Sequence, residues 1–202
     1  MKTTIITLFT ALVLSTGIAN AKTATKNDNV TVLTEISGIN KIEIHGNVEL
    51  YVSDGAADQV KVYNKYYAES ALVQSSNGVL RISSYKAEKL VVWVTAKSLS
   101  AITAYDNAEV KSFGSLSNIE FSVELHNNAT AKLDLDSFNA NITVNDLAKA
   151  ELSGTANEVS LKYSQIENVN DANLASKLAS RTCSATKVKA VETTELDELA
   201  NL

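Results

Sequence analysis

The chain has 202 residues, with 18 basic against 23 acidic side chains, one cysteine, two histidines and no proline. The net charge of −5 argues against nucleic acid or an anionic membrane as principal partner, since both call for a basic face. With Arg81 and Arg181 as the only arginines, phosphate and carboxylate clamps are poorly supplied.

Met1-Lys2 is followed by an apolar stretch from Ile5 to Leu14 and then by Ala19-Asn20-Ala21. A short basic start, an apolar run and a small-residue triplet form a secretory signal peptide, with cleavage expected after Ala21. The run is too short for a membrane span, which needs roughly 20 apolar residues, and no later stretch is long enough. The expected product is an exported chain, in the periplasm, at the surface or secreted. Without Lys2 it carries 17 basic and 23 acidic residues, a charge of −6. Cys183 is its single thiol, so there is no internal disulfide framework. With neither His45 nor His126 nearby in sequence, it reads as a passive thiol rather than a nucleophile.

Residues 22–29 are polar and patternless and are expected to be a flexible lead-in. From Val30 the pattern has period two: Ile42, Ile44, Val48, Leu50 and Val52 alternate with polar residues, broken at His45-Gly46-Asn47. Val60 to Tyr63, Val79 to Ile82 and Leu90 to Val94 read as further strands, with a turn at Ser76-Asn77-Gly78. Tyr66 to Gln74 fits either a short helical turn or a strand.

The second half has a longer period. Phe121, Ala140, Val159 and Leu178 stand 19 residues apart, as do Val123, Ile142, Leu161 and Ser180, and Leu125, Val144, Tyr163 and Thr182. Ala131, Ala150, Val169 and Val188 form another apolar column; Asn127, Asp146, Gln165 and Ser184 form a polar one. A fixed period near 20 residues means stacked units that each leave a face for the next to bury. The expected fold is all-β: a parallel β-solenoid or β-helix with rungs of about 19 residues in the C-terminal half, and a strand-rich N-terminal half. The polar column is expected to be a hydrogen-bonded ladder at a turn. An ordinary β-sandwich is the alternative, but it gives several columns no reason to share one register. Domain bounds follow: 1–21 signal peptide, 22–29 lead-in, 30–191 one β domain, 192–202 an acidic tail or short capping helix.

The segments Ile36-Ser37-Gly38-Ile39-Asn40-Lys41-Ile42, Val48-Glu49-Leu50-Tyr51-Val52, Gly78-Val79-Leu80-Arg81-Ile82 and Leu99-Ser100-Ala101-Ile102, ahead of the β-repeats, resemble the head GIN domain family of putative auto-transporter adhesins. The likeness runs from about Val30 to Val191. Family members often have a proline before the segment matching Leu99 and glycine-rich turns; Lys97-Ser98 and Asn and Asp turns stand here instead. The resemblance implies adhesion and carries no catalytic residues or cofactors.

Asp134 and Asp136 alternate onto one face and are the best pair for a carbohydrate-active β-helix enzyme. Their neighbours 19 residues on, Ser153 and Thr155, build no acidic cluster, and a calcium site would need more oxygen ligands than the sequence places there. A solvated outer face is the simpler reading, and no metal site is expected. Sugar binding calls for aromatic platforms; Tyr63, Tyr66, Tyr67, Tyr85 and Trp93 are available, and Tyr66 and Tyr67 are the candidate ligand-binding residues, since adjacent strand residues cannot both point inward. The function expected is a non-enzymatic envelope or surface module for a glycan or a surface protein. The alternatives are the β-helix enzyme and an assembly component that pairs through a sheet edge or terminal rung.

Overall fold

The computed structural model describes residues 30–63 and 71–184. The lead-in, the signal peptide, the tail from 192 and the pair Tyr66 and Tyr67 lie outside them. Eight short strands come first: β1 (Thr31–Leu33), β2 (Lys41–Gly46), β3 (Val48–Asp54), β4 (Gln59–Tyr63), β5 (Ala71–Ser76), β6 (Val79–Ser84), β7 (Leu90–Ala96) and β8 (Ala101–Ala104). Four long ones follow: β9 (Glu109–Leu125), β10 (Thr130–Val144), β11 (Lys149–Tyr163) and β12 (Val169–Cys183). A single 3-10 turn at Ile166–Asn168 is the one helical element among the described residues. The fold is all-β.

Period-two sequence becomes period-two burial. In β2, Ile42 and Ile44 are buried between half-buried polar residues, and β7 alternates in the same way along its whole length. Ser76-Asn77-Gly78 closes the antiparallel β5–β6 hairpin, with φ of 51° at Asn77 and 79° at Gly78. Two successive positive φ values make a two-residue turn whose twist matches its strands. The segment that fitted helix or strand is a strand from Ala71 onward.

One sheet holds all twelve strands, in the order β1-β4-β7-β3-β9-β8-β2-β6-β5, with β10, β11 and β12 added in turn beside β9. β9 is the junction. Its first residues pair with β3, Glu49 opposite Glu109, and its last pair with β8, Ile102 opposite Val123. Two four-strand branches therefore leave its two ends, and the sheet curls around one shared hydrophobic core. The N-terminal branches are mixed: β1–β4, β4–β7 and β5–β6 are antiparallel, while β2–β6 and β3–β7 are parallel.

From β9 to β12 every pairing is parallel. β10 and β11 keep one offset of 19 residues, Ala131 opposite Ala150 and Ile142 opposite Leu161. β9 and β10 start 21 apart, Glu109 opposite Thr130, and settle at 19 from Ser115 opposite Asp134. The two extra residues are absorbed near Gly114, whose φ is +86°. The columns Phe121–Ala140–Val159, Val123–Ile142–Leu161 and Leu125–Val144–Tyr163 thus lie on neighbouring strands and are buried.

The fourth member of each of these columns is a correction. Past Glu151 the β11–β12 offset becomes 20, so Ala179, Arg181 and Cys183 stand where Leu178, Ser180 and Thr182 were expected. Leu178 pairs with Glu158 and is 64% exposed. Register is held tightly only where one face is buried, and β12 is exposed along most of its length. Nothing there resists the extra residue near Ala172, whose N–H donates to Asn170 Oδ1 at 3.3 Å.

The polar ladder also runs elsewhere than expected. Asn127 N–H donates to Asp146 Oδ2 at 2.9 Å, as the column implied. It then continues backward: Asn127 Nδ2 donates to Asp106 Oδ1 at 3.1 Å, and Gly46 N–H to Asp106 Oδ2 at 3.0 Å. Gln165 and Ser184 make no side-chain hydrogen bond to it among the described residues. Asp106, Asn127 and Asp146 all have positive φ, between 56° and 61°, a conformation Asn and Asp tolerate best after glycine.

Candidate binding surface

β10 and β11 each break their alternation once. In β10, Ser137 and Ala140 are both buried, three residues apart rather than two, and Phe138 between them is turned outward. β11 repeats this at Ala156 and Val159. The bends stack because the strands pair through them, Ser137 opposite both Asn118 and Ala156. An open groove of about 770 Å³ runs over the bends across all four long strands.

Ile119 and Phe138 form its apolar part, 77% and 52% exposed, side by side on β9 and β10. Around them are polar groups. Thr155 Oγ1 donates to Asp136 Oδ1 at 3.3 Å. Ser137 is only 8% exposed, lines the groove, and its Oγ has no hydrogen-bond partner in the protein; Asn139 Oδ1 just past the bend is also buried and unpartnered. A buried polar atom left unpaired costs about 1–3 kcal/mol. Asp136 and Lys177 are the charged residues of the lining. The four strands pair in parallel on both sides of the groove, and the register passes over Ile119, Phe138 and Asn157 at the bend itself.

A second outward feature lies on the branch that starts from the other end of β9. Trp93 on β7 stacks on Tyr51 of β3 at 4.7 Å between ring centroids and 18° between planes. Tyr63 and Phe113 tilt against Trp93 at 6.5 and 5.5 Å. Beside them Lys111 Nζ reaches Glu49 at 2.5 Å and Glu109 at 3.3 Å, and Lys89 reaches Glu109 at 2.5 Å. The Lys111 bond holds the Glu49 carboxyl below its ordinary range against opposing burial, and the Lys89 bond does the same for Glu109. Lys111 is raised in return, chiefly by Glu49. The rings pack on one another across neighbouring strands, and the cluster reads as cross-strand stabilisation.

A third row runs His45–Tyr105–His126, with centroids 4.4 and 4.7 Å apart and planes within 9°. His45 Nε2 bonds Glu43 at 3.0 Å, which lowers the Glu43 pKa. His126 Nε2 lies 3.0 Å from Glu124 but is badly angled and makes no hydrogen bond. Stacked imidazoles cannot converge on one ion, and among the described residues no three His, Cys, Asp or Glu side chains gather as a metal site.

Of the residues singled out from sequence, Tyr63 and Trp93 meet in the ring cluster, while Tyr85 stands apart at 74% exposure. Asp134 and Asp136 pair on one side with Ser115 and Ser117 and on the other with Ser153 and Thr155, so neither has a second carboxylate opposite it. The groove itself was missed. Its signal was the break in alternation at Ser137-Phe138-Asn139, which leaves an aromatic residue out of phase.

Comparison with known proteins agrees with this architecture. The family described as "putative auto-transporter adhesin, head GIN domain" matches residues 38–195. A putative adhesin from Bacteroides fragilis has 17% identity and a TM-score of 0.64, over 76% of each chain. A putative lipid binding protein from Parabacteroides distasonis has 11% identity and a TM-score of 0.60, over 77% of this chain and 78% of its own. A putative adhesin from Parabacteroides merdae has 16% identity and a TM-score of 0.52, with the same coverage. These likenesses are of fold. No curated protein matches the sequence.

Proposed function

The chain belongs to the family described as putative auto-transporter adhesin, head GIN domain, and on that premise we propose that it is an exported, non-enzymatic binding module of the cell envelope or surface. The observation that carries this reading is the groove over the strand bends. It holds exposed Ile119 and Phe138 on a rigid parallel stack, and its lining offers hydrogen bonds and apolar contact without a nucleophile–base pair. We read β9 to β12 as a short parallel solenoid whose regular outer side is the working surface. Export rests on the signal-peptide pattern of residues 1–21, and no described helix is long and apolar enough to cross a membrane.

The name of the Parabacteroides distasonis neighbour raises lipid as a ligand. A groove open to solvent along its length does not enclose an acyl chain, so the surface-binding reading is preferred. The test uses the chain recovered from the exported fraction of expressing cells, incubated with whole cells and with envelope fractions. Saturable retention is the expected result. Recovery of all the protein in the supernatant, from cells and envelopes alike, overturns the proposal.

A further inference from the structure

Building on that binding reading, we propose that the groove over the bends of β9 to β12 takes a neutral glycan chain, laid across the strands and seated on Phe138. The choice of ligand follows from what the groove offers and what it withholds.

It offers an apolar surface of limited size. Ile119 and Phe138 present one aliphatic and one aromatic side chain on adjacent strands, both more than half exposed. A pyranose has an apolar C–H face of about that extent, and aromatic rings are its usual platform in protein sites. Around this surface stand hydroxyls and amides that can both donate and accept, as sugar hydroxyls require. Thr155 is exposed and Asn157 half-buried in the lining, on the strand beside Phe138.

It withholds what other ligands need. Extended peptides are commonly held through an open sheet edge by main-chain hydrogen bonds. Here the groove crosses the strands rather than running along an open edge, so recognition comes chiefly from side chains. An anionic polymer would call for clustered Arg or Lys, and Lys177 is balanced by Asp136. A neutral polyhydroxyl chain is the ligand that remains.

The spacing agrees. Adjacent strands lie about 4.8 Å apart, so four strands span about 14 Å. One strand spacing is close to the length a pyranose adds to an extended chain. Successive sugars would therefore each meet one strand's side chains, with Asp136 and Thr155 beside the units next to Phe138.

The experiment is affinity electrophoresis of the exported chain in native gels cast with hydroxyethyl cellulose, xylan, mannan or dextran, with heparin as the anionic comparison. At least one neutral polymer is expected to retard the protein more than heparin does. Phe138→Ala and Ile119→Ala should each weaken that retardation at least tenfold while keeping the wild-type melting temperature. If Phe138→Ala does not fold, the double variant Trp93→Phe/Phe138→Trp places the chain's one tryptophan in the groove, and its emission should shift on adding the retarding polymer. No retardation by any neutral polymer, unchanged retardation in the variants, or an unmoved emission overturns the proposal. Envelope fractions separate it from the broader reading. Retention that survives periodate oxidation and is lost on protease treatment sinks the glycan and keeps the binding module. No retention on untreated envelopes sinks both.

Discussion

Gly154 lies opposite Leu135 in the β10–β11 ladder, with φ of +100°, and a β-carbon added there would overlap the Leu135 carbonyl oxygen. Both the backbone angle and the close approach require glycine. Gly154→Ala should therefore destabilise by about 2–4 kcal/mol, since strain and steric overlap add. Gly114 is the internal comparison, with φ of +86° and nothing within 4 Å of an added β-carbon. Gly114→Ala should lose only about 1–2 kcal/mol. Urea unfolding of the two variants checks the order, and equal losses would refute the packing account of Gly154.

Ile142 is buried between Val123 and Leu161 on parallel neighbours. Ile142→Asp places a carboxylate there without a cation, and the loss should be several kcal/mol of the roughly 5–15 that hold a domain together. Thr143 lies one residue on, facing outward between Glu124 and Lys162. Thr143→Asp should cost under about 1 kcal/mol. Equal melting temperatures for the two variants would contradict the observed register.

The Glu49, Glu109 and Lys111 cluster makes an acid prediction with a definite sign. Both carboxyls are held below their ordinary value of 4.5 in the folded state. The unfolded chain therefore binds protons first as the pH falls, and their contribution is complete above that value and is lost through and below it. The melting temperature should stay level between about pH 7 and 5 and fall below about 4.5. Lys111→Met removes the first-named cause for Glu49 and should flatten that acid slope. A slope unchanged in this variant would show that other carboxyls govern it. Lys111 itself is raised above 10.5, so its contribution is lost only as the pH climbs through that higher value.

The turn ladder can be tested at Asn127. Its φ of 60° suits Asn or Gly and penalises a β-branched residue. Asn127→Gly should be close to neutral, because relief of the backbone offsets the lost bond to Asp106. Asn127→Val should cost more than about 2 kcal/mol, combining the strained angle with that lost bond. Chemical denaturation distinguishes the two, and a Val variant as stable as the Gly variant would remove the angle from the account.

The parts legible in the sequence are those where burial repeats at constant spacing. Phe121, Ala140 and Val159 declare their column because each is forced inward and each neighbouring strand is built alike. Leu178 misleads because β12 buries little, so its side chains carry no pattern that could reveal a one-residue slip. The two branches were legible as strands but not as partners. Ile42 faces Leu80 on one side and Ile102 on the other, and nothing in an alternating pattern says which distant strand will be chosen. The ring cluster has the same origin: Tyr51, Trp93 and Phe113 come from three separate segments, and only the sheet order brings them together. For the groove, the sequence holds a hint in Phe138 but no indication that the breaks in β10 and β11 would align.

Strand order also sets the sequence of events during folding. Along β10 and β11 each residue finds its partner 19 positions away, whereas Lys41 must wait for Val79 and Ala101, and Glu49 for Glu109. Short closures are entropically cheaper and faster than long ones. The C-terminal stack can thus assemble from local steps, and the N-terminal strands, synthesised first, are completed last. Until β9 is in place, β3 and β8 each lack a neighbour and expose apolar edges. A substitution that slows the formation of β9 would thus lengthen the lifetime of a sticky intermediate, even if it left the equilibrium stability of the finished fold untouched.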